Sequence, residues 1–159
     1  MKRRLPPGAG YNLATIPTDP KERHEELVEL FGQYVMWLRN WTLSSTRSLV
    51  DSADLREKMG TILRRPYEEA AKLSEEDRKR AIELADSTVD GFIELLLRVL
   101  AHVGGDFSLG PKHSVRYKLV MEILDKDAWE VVLEEIINRN GQRHFGDYWG
   151  RWLNRHRDM

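Results

Sequence analysis

The 159-residue chain contains no cysteine. This absence excludes disulfide bonds, cysteine-ligated zinc, iron–sulfur clusters and a thiol nucleophile. The chain also has no apolar run long enough to cross a membrane. Its basic start, Met1–Arg4, resembles the first part of a signal peptide, but no apolar stretch follows it. We therefore expect a cytoplasmic protein that does not insert into a membrane.

The chain also lacks a large excess of either positive or negative charge. The chain holds 25 lysines and arginines and 26 aspartates and glutamates, so its formal net charge is −1. The overall charge therefore gives no reason to expect binding to nucleic acid or to a membrane surface. With 32% charged and 41% hydrophobic residues, the composition is typical of a folded domain rather than a disordered chain.

Motifs of catalysis and cofactor binding are missing too. There is no glycine-rich phosphate loop and no H-E-x-x-H motif, and the five histidines are scattered. His144, Asp147 and Tyr148 form a His-x-x-Asp-Tyr pattern, but two ligands do not make a metal site. We expect no cofactor and no metal, and we favour a protein without catalytic activity.

What the sequence does contain is a long apolar stripe. Its members recur at spacings of three and four, which places them on one face of a helix: Ile82, Ala85, Val89, Phe92, Leu96, Val99 and Val103. The stripe predicts a central helix over about 75–103 with Phe92 and Leu96 in the core. Ser74 is predicted to cap its start, and Gly104–Gly105 to end it.

Local signals predict two further helical regions before it. Asp19 followed by Pro20 is typical of a helix start, and the pattern predicts a helix from 20 to about 43, ended by Ser44–Thr46. Residues 52–72 are predicted to be helical with a break at Pro66, because proline lacks the amide hydrogen.

The period changes to two after Pro111, which is the strand pattern. Residues 114–124 and 129–138 are predicted to pair as a β-hairpin around a turn at 125–128. In the second strand Trp129, Val131, Leu133 and Ile137 alternate, while Glu135 falls outside the pattern. A helix is the competing interpretation, since leucine, methionine, glutamate and lysine favour helix.

The predicted fold class is α+β, predominantly α. A helical bundle surrounds the central helix at 75–103, a β-hairpin occupies 114–138, and a short helix within 142–156 ends the fold. We expect residues 1–18 to be an irregular N-terminal arm and residues 19–159 to form a single globular domain.

The C-terminal tail has the most unusual composition. Residues 139–159 carry five arginines against two aspartates, interleaved with aromatic residues. Arginine beside aromatics suits a protein interface, phosphate and base contacts, or simple docking of the last helix on the core. The candidate binding residues are Arg143, Tyr148, Trp149, Arg151, Trp152 and Arg155.

The functional hypothesis follows largely from the missing motifs. We expect a non-catalytic protein-interaction module of the inhibitor, immunity or adaptor type, with a protein as its partner. One alternative is a nucleic-acid-binding accessory protein that uses the tail, and a second is a small hydrolase with a convergent His/Asp/Glu site. A homodimer formed by edge pairing of the hairpin is also consistent with the sequence, because an isolated hairpin is marginally stable.

Overall fold

A computed structural model describes residues 7, 11–101, 117–138 and 147–157 of the chain. The elements occur in this order: a short 3-10 helix Leu13–Thr15, α1 Pro20–Asp51, α2 Ala53–Glu57, α3 Thr61–Ala71, α4 Glu75–Leu100, β1 Val120–Leu124, β2 Val131–Ile136 and α5 Tyr148–His156. The predicted class, α+β and mostly α, is confirmed. Within the described ranges, every helix is too short or too polar to span a membrane.

The predicted helix starts at Asp19 and Ser74 are confirmed. The Asp19 carboxylate accepts hydrogen bonds from the backbone amides of Lys21 and Glu22 at 2.9 and 3.0 Å. These bonds hold the pKa of Asp19 below its usual range, and the bond from Glu22 has the larger effect. Ser74 Oγ accepts a hydrogen bond from the Asp77 amide at 3.1 Å. Both side chains therefore satisfy amides that the first turn of a helix leaves free.

Two predicted helix boundaries are wrong. Helix α1 does not end at Ser44–Thr46 but continues to Asp51, because Leu43 and Val50 are both buried and lie two turns apart on one face. Helix α3 passes through Pro66, and the interruption falls at residues 58–60 instead. A salt bridge between Arg64 and Glu68 at 3.0 Å spans the proline, and this i, i+4 pair supports the helix there.

The prediction that Phe92 and Leu96 of α4 lie in the core is wrong, although Ile82, Ala85, Val89 and Val99 of the same stripe are half-buried. Phe92 and Leu96 are 66% and 46% exposed, whereas Leu97 is buried. The covered side of α4 also carries Asp86 and Asp90, which pair with arginines of α1. Arg39 donates from Nε and Nη2 to both carboxylate oxygens of Asp90, the second bond at 2.8 Å. The periodic pattern identified side chains that share a face, but the covered side of the helix is turned from the centre of that stripe towards Asp86, Asp90 and Leu97.

The predicted β-hairpin is confirmed, but its strands are shorter than the predicted 114–124 and 129–138, since the described residues 117–119, 129–130 and 137–138 are not strand. Strands β1 and β2 are antiparallel, and Val120 is opposite Ile136 at one end. The register shifts between Ile123 and Leu124, whose partners are Leu133 and Val131. Residues 114–116, Val103, Gly104–Gly105 and the first residues of the predicted tail helix lie outside the described part of the chain.

Asn138 connects the base of the hairpin to the end of α4. Its Nδ2 donates to the carbonyl oxygens of Leu100 and Tyr117 at 2.8 and 3.0 Å. Its Oδ1 accepts from the backbone amide of Leu119 at 2.7 Å. One buried amide side chain therefore satisfies three backbone groups, among them a carbonyl at the C-terminal end of a helix.

By its contacts the chain divides into two compact units. The described residues of Met1–Trp37 and Glu94–Arg157 form the first, and Leu38–Ile93 form the second. In the first unit, buried apolar residues come from the first part of α1, from the end of α4, from the hairpin and from α5: Leu27, Val28, Leu30, Met36, Leu97, Ile137, Tyr148, Trp149 and Trp152. The second unit, all of which is described, buries Leu43 and Val50.

Candidate functional site

The predicted tail aromatics are packed inside the first unit. Tyr148, Trp149 and Trp152 are all buried. The indole of Trp152 meets the ring of Phe31 edge-on, with 6.0 Å between the centroids, and it packs against Gly32. These side chains therefore dock α5 on α1, which was the simplest of the three interpretations of the tail. Arg143 lies outside the described residues.

The tail arginines face a carboxylate of α1. Arg151 Nη2 donates to Glu29 Oε2 at 2.7 Å, and Arg155 Nη1 lies 3.5 Å from Glu29 Oε1. His156 Nε2 lies 3.0 Å from the same Oε1. Burial would raise the pKa of Glu29, but the hydrogen bond with His156 and the charges of Arg151 and Arg155 outweigh it, so the pKa is lowered. The positive charge of the tail is thus partly neutralised within the chain.

An open groove of about 660 Å³ runs along this contact. The α1 side of it carries Glu22, Glu25, Glu26 and Glu29, at spacings that place them on one helix face. Glu25 accepts a hydrogen bond from the Tyr148 hydroxyl at 2.9 Å. Glu26 accepts one from Tyr11 at 2.7 Å, and burial together with that contact raises the pKa of Tyr11 to about 12. These partners give at least three of the four carboxylates a structural role.

Among the described residues of the first unit, histidine and carboxylate groups also meet at Glu135. His24 Nδ1 lies 3.0 Å from Glu135 Oε1, and Arg23 Nε lies 3.9 Å from Glu135 Oε2. The Glu135 side chain is buried, which explains why it falls outside the strand's alternation. Within the described ranges there is no cluster of three or more histidine, aspartate or glutamate residues able to hold a metal ion. His144 and His113 lie outside these ranges.

The tip of the β-hairpin is closed by Asp125. Its Oδ1 accepts hydrogen bonds from the backbone amides of Asp127 and Ala128, both at 2.8 Å. These bonds hold the pKa of the Asp125 carboxyl below its usual range. The Asp125 carbonyl oxygen accepts from the Trp129 amide at 2.9 Å, and the Asp125 amide donates to the Glu130 carbonyl oxygen at 2.9 Å. The predicted turn at 125–128 is therefore confirmed.

Trp129, which follows this turn, has a backbone conformation that residues other than glycine rarely adopt. Its φ is +57°, the one positive value among the described residues other than glycine. The left-handed region costs an L-residue roughly 1–2 kcal/mol, and turns that need it usually contain glycine. The side chain is 77% exposed, so burial of the indole within the chain does little to offset this cost.

The surroundings of Trp129 are apolar and acidic. Leu124, Val131 and Val132 beside it are all exposed. On the same hairpin Glu122 and Glu134 are directly opposite each other, an arrangement of like charges that destabilises a strand pair. Over residues 117–138 there are six carboxylates and two lysines.

Sequence reasoning missed this site. Trp129 was predicted to be the first residue of a strand with an alternating apolar pattern. Val131, the next residue of that pattern, is exposed as well. The available signal was the turn chemistry. Asp125 closes a loop whose last residue needs a positive φ, and the sequence supplies tryptophan where glycine is the usual choice.

No family model, curated protein or solved structure matches this chain.

Proposed function

We propose that this chain is a non-catalytic protein-interaction module that binds a protein partner through the tip of its β-hairpin. The observation that carries the proposal is Trp129, which is 77% exposed and has a positive φ. A strained and solvent-exposed aromatic residue costs the free protein stability. Strained backbone clusters at ligand-binding sites, where the strain is part of the function. Tryptophan is among the residues that most often dominate binding energy in an interface.

The neighbours of Trp129 support a partner of defined chemistry. The exposed aliphatic side chains of Leu124 and Val131, which are paired across the hairpin next to the turn, add apolar surface to the tip. The excess of carboxylates over lysines on the hairpin favours a partner whose surface is rich in lysine and arginine. An exposed tryptophan on an acidic hairpin suits insertion into an apolar cleft with a basic rim, which is the inhibitor type among the predicted classes.

The tail remains a second predicted surface, but the proposal does not depend on it. Tyr148, Trp149 and Trp152 are buried, and Arg151 is paired with Glu29, so these side chains would have to leave their contacts to bind. Cytoplasmic location likewise stays a prediction from the sequence.

The test compares the full chain with Trp129→Ala and with a control variant, Leu13→Ala, which also removes an exposed apolar side chain. A partner captured from the host lysate would be purified, and its affinity for each variant measured by interferometry. Trp129→Ala should raise the dissociation constant at least about tenfold, since interface hot spots cost about 2 kcal/mol or more. Leu13→Ala should leave it unchanged.

Salt supplies a separate measurement of the acidic surroundings. The affinity of the purified partner should fall as sodium chloride increases, because salt screens attraction between exposed charges. Equal affinity for the wild-type chain and Trp129→Ala would overturn the proposal. Capture that disappears on nuclease treatment would favour the nucleic-acid alternative instead.

A further inference from the structure

Helix α4 carries a row of exposed side chains whose spacing is symmetric about Thr88. The members follow one another at intervals of three, four, four and three, so they share one face of this uninterrupted helix: Ala81, Leu84, Thr88, Phe92 and Leu95. All five are exposed, Leu84 at 69%. The face is largely apolar and combines two small side chains, Ala81 and Thr88, with three large ones.

Four of these five residues, all but Leu95, belong to the second unit, which has little core of its own. Within Leu38–Ile93, where every residue is described, two apolar side chains are buried, Leu43 and Val50. Eight large ones are exposed: Leu38, Trp41, Leu55, Ile62, Leu63, Leu73, Leu84 and Phe92. A small unit with so few buried side chains gains little stability from its own burial, and exposed apolar surface of this extent is typical of an interaction surface.

We propose that this face of α4 pairs with the same face of a second copy of the chain. The proposal is independent of the hairpin. In an antiparallel pair with a two-fold axis at Thr88, Leu84 of each copy lies opposite Phe92 of the other. Ala81 likewise lies opposite Leu95, so a small side chain meets a large one. A two-fold interface requires this reciprocity, in which residue i contacts residue j and j contacts i.

The charges beside the face fit the same pairing. Glu76 is paired with Arg80, and Glu94 is paired with Arg98 at 2.6 Å, both along α4. An antiparallel arrangement brings the first pair of one copy alongside the second pair of the other, so each glutamate has an arginine of the other copy as its neighbour. Such charges flanking an apolar seam set orientation and choice of partner in paired helices.

The net charge of the second unit does not oppose pairing with a second copy. Residues 38–93 hold ten basic and eleven acidic side chains, so two copies of this unit do not repel each other strongly. A nearly neutral surface gives no electrostatic preference for a strongly charged protein. The acidic hairpin, by contrast, would repel its own copy.

The first experiment measures the mass of the full chain by sedimentation equilibrium over a series of concentrations. The wild-type chain should dimerise, and Leu84→Glu or Phe92→Glu should raise the dimer dissociation constant at least about tenfold. Ile62→Glu, which changes an exposed residue of α3, should leave the constant unchanged. Circular dichroism checks that each variant is folded. A wild-type chain that stays monomeric, or a dimer insensitive to Leu84→Glu, would overturn the proposal.

The second experiment uses the absence of cysteine. Thr88→Cys should be crosslinked to a dimer by a short bismaleimide, whereas Thr42→Cys, an exposed threonine of α1, should not. A mixture of Ala81→Cys and Leu95→Cys chains should crosslink more efficiently than either variant alone, because an antiparallel pair places these positions opposite each other. Equal crosslinking of Thr88→Cys and Thr42→Cys would contradict the interface, even if a charged variant failed to fold.

Discussion

Gly32 of α1 packs against the indole ring of Trp152 in α5, and the two residues leave no room for a β-carbon between them. The Trp152 side chain is fully buried, so it fills the space that the glycine leaves open. Docking of the C-terminal helix therefore depends on the absence of a side chain at position 32.

Gly32→Ala should destabilise the protein although alanine is the better helix former. Overpacking a filled site costs roughly 1–3 kcal/mol, which exceeds the gain of up to about 1 kcal/mol in helix propensity. The free energy of unfolding, measured by urea denaturation, should therefore fall. The control is Gly150→Ala in α5, where an added β-carbon meets nothing within 4 Å and stability should rise. A rise in both variants would contradict the close packing.

Acid should weaken the contact between α1 and α5. The pKa of Glu29 is lowered in the folded chain, so its ionised form stabilises the fold at pH values above the ordinary glutamate pKa of about 4.3. This contribution is lost as the pH falls through the lower, folded value. Glu29→Gln should therefore reduce the free energy of unfolding at pH 7 by about 1–3 kcal/mol and by less at pH 3.

The measurement is a set of urea titrations of both proteins between pH 7 and pH 3. Glu57→Gln, which changes a residue on the exposed surface of α2, serves as the matched control. A difference between wild type and Glu29→Gln that grows towards low pH would refute the assignment.

Trp129→Gly should separate stability from binding. Glycine removes the cost of the positive φ, roughly 1–2 kcal/mol, but adds chain entropy to the unfolded state, which offsets about half of that. The free energy of unfolding should stay the same or rise by up to about 1 kcal/mol, while affinity for the purified partner falls. Thermal melts and interferometry on one sample measure both. A marked loss of stability would show that the indole supports the hairpin fold.

Local signals in the sequence were sufficient for the helix starts and for the hairpin. Asp19 and Ser74 cap amides within three residues of themselves, and Asp125 closes a turn of similar length. Such contacts depend on neighbours in the chain, so the sequence contains the information directly. Glu135 was already visible as an exception to the strand pattern, although its contact with His24 was not.

The features that could not be predicted from the sequence depend on contacts between residues far apart in the chain. A periodic pattern shows which side chains of α4 share a face, but it does not show the contact between Arg39 and Asp90, 51 residues apart, on the covered side of the helix. Leu43 and Val50 similarly extend α1 through residues of weak helix propensity. The tail aromatics were ambiguous for the same reason, because a buried tryptophan and an interface tryptophan have the same sequence signature until the surface that covers them is known.

The three hydrogen bonds of Asn138 affect how the first unit unfolds locally. Its side chain holds the carbonyl of Leu100, the carbonyl of Tyr117 and the amide of Leu119 at once, so none of these contacts can be released without disturbing the others. The end of α4 and the base of the hairpin should therefore exchange their amide hydrogens with solvent as one cooperative segment. Local fraying of the hairpin would then begin at the turn beside Trp129 and stop at Asn138.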